Sequence, residues 1–136
     1  MKTTKSILML LFAAVTAQAQ LSVTVSSPKV VGQKTVVPLA MRNDLTEKIE
    51  SARAVVFLLD EQGKMVGQGT RWVIGGNNDK PGLAAGATNA FHFVIASDKP
   101  FATTNLTAKV TFSRVVLEGG RVADVNTSVQ IEHAEK

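Results

Sequence analysis

Cysteine is absent from all 136 residues, so no disulfide can staple this chain. A domain without staples must hold together by packing and sheet hydrogen bonds. The Cys…Trp…Cys pattern of antibody domains is missing too, so any immunoglobulin likeness here is one of architecture. Histidine is nearly absent. His92 and His133 do not stand at metal-ligand spacing, and His92, mid-strand between two Phe residues, reads as a pairing or packing residue. No Gly-x-Ser-x-Gly elbow occurs, and neither His has an Asp partner nearby in sequence. Asn77-Asn78-Asp79 offers oxygen atoms without the spaced acidic pattern of a calcium loop. Adjacent Asp60 and Glu61 at a strand end point apart and read as turn residues. No catalytic residue, metal or cofactor is therefore expected.

Charge of one sign is never concentrated either. The basic residues are scattered singly, which gives no footprint for nucleic acid. Long apolar runs are also missing, apart from one near the start. Lys2 and Lys5 precede a short apolar segment over residues 7–15, and Ala17-Gln18-Ala19 places small residues where a signal peptidase reads. The segment falls short of the roughly 20 residues that a membrane span needs. Residues 1–19 are thus expected to be a signal peptide, with the mature chain starting at Gln20. The protein would be secreted or periplasmic, with no membrane insertion after signal removal. Taking Lys2 and Lys5 from the 15 basic residues leaves 13 against 11 acidic ones, a balance of +2. A mature chain over 20–136 suits one domain and buries roughly 65% of its unfolded surface.

What the chain does have is a central apolar run over residues 54–59, opened by Arg53, closed by Asp60-Glu61-Gln62-Gly63 and followed by a second apolar stretch. Strand, tight turn and strand is the natural reading. Ala54, Val56 and Leu58 fall on one face and Val55, Phe57 and Leu59 on the other, which predicts a central strand with little exposure on either side. The partner strand, 64–74, contains Gly67 and Gly69, which suggests a bulge or strong twist at an edge.

Period-2 alternation recurs along the rest of the chain. It predicts strands over 21–26, over 35–42 with Val37, Leu39 and Met41 together, and over 87–96 with Phe91, Phe93 and Ile95 together. Pro38 should face an edge or a bulge, because it cannot donate to a ladder. The polar connection over 43–48 is compatible with one helical turn. The strand from Leu106 puts Ala108, Val110 and Phe112 inward and Thr107, Lys109, Thr111 and Ser113 outward. Glu118-Gly119-Gly120-Arg121 predicts a hairpin into a last strand carrying Ala123, Val125, Thr127, Val129 and Ile131 on one face. The sum is an all-β, immunoglobulin-like antiparallel β-sandwich of about seven strands, with a partly open barrel as the alternative.

At the central hairpin the sequence resembles the FxLYD-type domains of exported prokaryotic proteins. Val56-Phe57-Leu58-Leu59-Asp60 is similar to the motif that names them, and Gln62-Gly63-Lys64-Met65-Val66 to the turn and strand that follow. Arg42-Asn43 resembles the end of the family's preceding strand, and Leu83-Ala84-Ala85-Gly86 with Phe91 its later turn. The resemblance covers roughly residues 35–115 and implies a small sandwich without known catalysis. It carries over no active-site residue.

Trp72, the only Trp, stands beside Arg71 and close to the loop over 75–82. Arg71, Trp72, Asn77, Asn78 and Asp79 together form a candidate binding site, an aromatic platform with polar handles. The competing reading has Trp72 plugging one end of the sandwich. Two functions are therefore expected in order. One is an exported, non-catalytic interaction module that binds a protein partner or its own copies. The other is a small-ligand or glycan binder centred on Trp72. A small hydrolase is a distant third.

Overall fold

A computed structural model describes residues 19–76 and 80–134. The expected signal peptide, apart from Ala19, lies outside the described residues. Eight strands form: β1 Leu21–Val25, β2 Lys29–Val31, β3 Lys34–Asn43, β4 Ile49–Leu59, β5 Met65–Ile74, β6 Thr88–Ala96, β7 Thr107–Leu117 and β8 Val129–His133. They build two sheets, one of five strands (β1, β2, β3, β6, β8) and one of three in the order β5-β4-β7. The chain is a single β-sandwich domain of immunoglobulin-like architecture.

Alternation does the sorting. Val37, Leu39 and Met41 of β3 bury inward, as do Phe93 and Ile95 of β6. From the other sheet come Ala52, Ala54, Val56 and Leu58 of β4 and Ala108, Val110 and Phe112 of β7. Phe91 is only half-buried and packs on the rim of this core. β4 is central in its sheet, yet only one of its faces is covered. Val55, Phe57 and Leu59 remain half-exposed, so the two-sided burial expected of this strand does not occur.

β5 is an edge strand, and its glycines have a specific job. A Cβ on Gly69 would stand 3.2 Å from the Phe93 ring, and one on Gly67 3.3 Å from Leu58 Cδ1 and 3.4 Å from Ile95 Cγ2. Glycine here lets the β6 side chains fill the space under the sheet edge. The β4–β5 register shifts between Ala52 and Arg53 and again between Leu58 and Leu59, where β5 steps from Gly67 to Met65, so one irregularity adjoins a glycine as expected. Pro38 also finds its place. β1 and β2 pair with β3 in two separate stretches, while β6 runs along β3 from Lys34 to Arg42. The Pro38 carbonyl accepts from Ser26 N at 3.0 Å, so its missing donor faces the gap where β1 ends and β2 has yet to begin.

Two expectations over connections fail. The 43–48 segment forms no helical turn. Buried Asn43 holds it instead: its Oδ1 accepts from Leu45 N at 2.9 Å, and its Nδ2 donates to Glu47 O at 3.0 Å and Leu83 O at 2.9 Å. The last strand is also interrupted. The chain turns back beside β7 only as far as Ala123, whose N donates to Val115 O. Asp124 then caps one helical turn, Val125–Ser128, by accepting from Asn126 N at 3.0 Å. Capping by a side-chain carboxylate overrides the weak alternation there. The turn carries the chain across to the other sheet, where β8 pairs with β1 in parallel. All other strand pairs are antiparallel.

Candidate functional site

The predicted neighbours Arg71 and Trp72 point to opposite faces, as successive strand residues must. Arg71 pairs with Ala54 on the inward side of β5, at the open edge, and its guanidinium lies 6.0 Å from the Phe93 ring centroid. Trp72 pairs with Arg53 and stands, half-buried, on the outer face of the three-stranded sheet. Lys80 donates to Trp72 O at 3.2 Å and lies 5.0 Å over the Phe91 ring. Asn77, Asn78 and Asp79 lie outside the described residues. Arg71 and Trp72 thus face opposite sides of β5, and Trp72 belongs to a sheet face instead of plugging the sandwich end.

That face is ordered in rows by the register of the sheet. Trp72, Arg53 and Arg114 form one row across β5, β4 and β7. The next rows are Thr70-Val55-Thr111, Gln68-Phe57-Lys109 and Met65-Leu59-Thr107. An apolar stripe therefore runs down the middle strand between polar or cationic flanks. At its end, the Arg53 guanidinium lies 5.3 Å from the Trp72 ring, a cation–π distance. Its Nε also donates to Ser113 Oγ at 2.9 Å. Arg114 is directly opposite, and among the described residues neither arginine forms a salt bridge. Indeed the strand segments that make this face, 51–59, 65–72 and 107–114, contain Arg53, Arg71, Lys109 and Arg114 and no Asp or Glu. The nearest carboxylate in sequence, Glu50, accepts from Gly119 N at 3.2 Å.

Sequence reasoning missed Arg53 and Arg114 as neighbours. The alternation signal was present, since Arg53 shares its face with Val55, Phe57 and Leu59. The cross-strand partner depends on register between distant segments, and a bulge between Arg53 and Ala54 shifts that register by one.

The outer face of the five-stranded sheet is different. It holds a groove of about 600 Å³ lined by Ser22, Thr24, Ala40, Thr88, Gln130 and Glu132, among others. Arg42 Nε donates to both Asp44 oxygens, at 2.8 and 3.1 Å, and Ser22 Oγ donates to Oδ2 at 3.0 Å. The hydrogen bond from Arg42 holds the Asp44 carboxyl below its ordinary value and, with the pair's attraction, raises that of the guanidinium. A smaller cavity of about 220 Å³ lies near Pro28, Leu106 and His133, where His133 Nε2 is 3.0 Å from Ala108 O. Exposed His92 is paired across from Pro38. Among the described residues no three His, Asp or Glu side chains come together as metal ligands, and no helix is long and apolar enough to cross a membrane.

No protein-family model matches the chain, and no curated protein matches it either. Solved structures do. A chain described as the ApaA protein of Bordetella pertussis superimposes with a TM-score of 0.54 at 19% identity, covering 79% of this chain and 89% of its own. IrmA from Escherichia coli gives 0.50 at 10% identity, covering 88% and 96%. At such identities the likeness establishes the β-sandwich fold and nothing finer.

Proposed function

We propose that this chain is an exported, non-catalytic interaction module that binds a protein partner through the outer face of its three-stranded sheet. The observation that carries the reading is the half-exposed stripe Val55, Phe57 and Leu59, set between Thr, Gln and Lys side chains. An apolar centre with a polar rim is the anatomy of a protein-binding patch. The FxLYD resemblance of the same hairpin implies a sandwich without known catalysis, in keeping with a non-catalytic reading. A glycan reading centred on Trp72 has less support, because Arg53 already lies over that ring. Export follows from the leader-like segment over 1–19, and N-terminal sequencing of the exported form should begin at Gln20.

Site-specific photo-cross-linking in the exporting host tests the binding face. A photoreactive residue at Phe57 should give a discrete adduct, and one at Thr24, on the opposite sheet, should not. Adducts at Thr24 alone would overturn the assignment.

A further inference from the structure

Resting on that reading, we infer that the partner offers this face an acidic segment, with carboxylates over the Arg53–Arg114 row and apolar side chains along Val55, Phe57 and Leu59. The argument starts from an arrangement that the fold alone does not favour. Like charges directly opposite on neighbouring strands destabilise a sheet, and opposed residues stand only about 4.5–5.5 Å apart at Cα. Arg53 and Arg114 are such a pair. Two other arginines are neutralised locally: Arg42 has Asp44 and Arg121 has Glu47. On the three-stranded sheet the segments 51–59, 65–72 and 107–114 supply cations and no acid, and Glu50 at the start of β4 is engaged by Gly119 N.

An anion from outside completes this row. A guanidinium fork takes a carboxylate through two parallel hydrogen bonds. Arg53 has its Nε committed to Ser113 Oγ, which restrains the group and leaves its two terminal nitrogens without a hydrogen bond among the described residues. Trp72 backs the same guanidinium from the β5 side. The row is thus oriented before any partner arrives, which reduces the ordering cost of binding.

Charge also selects among occupants. A second copy docked by two-fold symmetry would bring two purely cationic faces together, which like-charge repulsion opposes. A polyanionic polysaccharide or nucleic acid would satisfy the arginines but leave Val55, Phe57 and Leu59 unused. An anionic bilayer would need protruding apolar side chains, whereas these three are only half-exposed. A segment carrying both acidic and apolar residues fits both features, since a chain laid along β4 meets the Arg53–Arg114 row and then the stripe.

The sole Trp of the chain sits in the row and reports on it directly. The protein is titrated with three fluorescence-silent decapeptides, repeats of Glu-Val, Gln-Val and Lys-Val, and with heparin and phosphatidylglycerol vesicles. The Glu-Val peptide should shift Trp72 emission saturably and more weakly as salt rises. The Gln-Val and Lys-Val peptides should not. Arg53→Gln with Arg114→Gln should weaken binding by on the order of tenfold or more, while Lys99→Gln, in a distant turn, should leave it unchanged. Arg53→Glu with Arg114→Glu should move the preference to the Lys-Val peptide, provided that circular dichroism shows the native fold. Equal binding of Gln-Val and Glu-Val, tighter binding of heparin or vesicles, or an unaffected glutamine double variant would each overturn the inference. Failure of the two readings is separable. Cross-links at Phe57 that persist in high salt would keep the interaction module and discard the acidic partner, whereas no adduct there would discard the module itself.

Discussion

The two outward sheet faces are built from the same kind of strand but handle charge in opposite ways. On the five-stranded face the one arginine of the groove is answered two residues away, where Asp44 receives Arg42 and Ser22 together. Small side chains, Ser22, Thr24, Ala40 and Thr88, leave a polar hollow. On the three-stranded face larger residues stand up, an apolar stripe runs between them, and Arg53 and Arg114 oppose one another with no salt-bridge partner among the described residues. A face completed internally needs nothing from outside. A face left cationic and partly apolar is stabilised by what docks on it. The contrast supports the proposal that an interaction would use one side of the sandwich.

The sharpest way to break this comparison is to ask whether the two sides of β4 and its neighbour differ in stability as their burial says. Phe112 is buried opposite Ala54. Truncating Phe112→Ala should cost about 3–5 kcal/mol, enough to unfold many domains of this size. Phe57→Ala, on the outer face, should cost less than about half as much because water already reaches the ring. Urea denaturation of both variants decides the point. Equal losses would mean that the stripe is structural and leave no reason to cover it.

A second pair of variants compares buried polar groups on β3. Asn43 is fully buried with its side chain bonded three ways. Asn43→Ala strands two carbonyls and an amide, and should cost about 2–4 kcal/mol. Thr35 is equally buried, yet its Oγ1 has no hydrogen-bond partner. Thr35→Val removes that orphan in nearly the same shape and should stabilise by about 1 kcal/mol. Opposite signs in two melts would confirm that satisfaction, and not polarity itself, sets the sign.

These residues also show what was legible beforehand. The strand positions, the inward faces of β3, β6 and β7, and the edge position of β5 follow from period-2 alternation and from glycine placement. Phe93 under Gly69 is not legible, because alternation says which way a side chain points and not what it meets. The parallel pairing of β8 was hidden by continuous alternation from Ala123 to Ile131, which a single cap at Asp124 interrupts. Neighbours in sequence misled once: Arg71 beside Trp72 looked like a site, and strand geometry sends them apart. The row Trp72, Arg53 and Arg114 needed the register of three strands, including a bulge that no local pattern announces.

A smaller effect separates folding from aggregation at the two ends of the apolar run. Asp60 Oδ1 accepts from Gln62 N and Lys64 N, both at 2.9 Å, so Asp60→Ser should lower stability by about 1 kcal/mol through the turn. Arg53 makes no comparable backbone contact in a turn. Arg53→Ser should leave the melting temperature within a few degrees while lowering refolding yield, because the uncharged β-prone run then lacks its flanking cation. A melting temperature that falls equally in both variants would assign Arg53 a structural role and weaken its availability to a partner.

The smallest expected effect lies on the internally completed face. Asp44 titrates below its ordinary range, first because Arg42 hydrogen-bonds its charged form. A carboxyl whose folded value is depressed adds stability above its unfolded value, and that contribution disappears as pH falls through the folded one. Stability should therefore decline slightly below the usual Asp range, and the carboxyl resonance of Asp44 should titrate later than that of a free Asp. Both groups are exposed, so salt screening keeps the energetic consequence small. Arg42→Gln should move the Asp44 titration back toward the ordinary value, with Ser22 alone retaining part of the shift. Arg114→Gln supplies the contrast on the other face. It removes a repulsion in place of an attraction, so it should hold the melting temperature level or raise it by about 1–2 °C at low salt. Should both glutamine variants lower stability alike, Arg114 would have an internal partner after all, and the asymmetry between the two faces would fail.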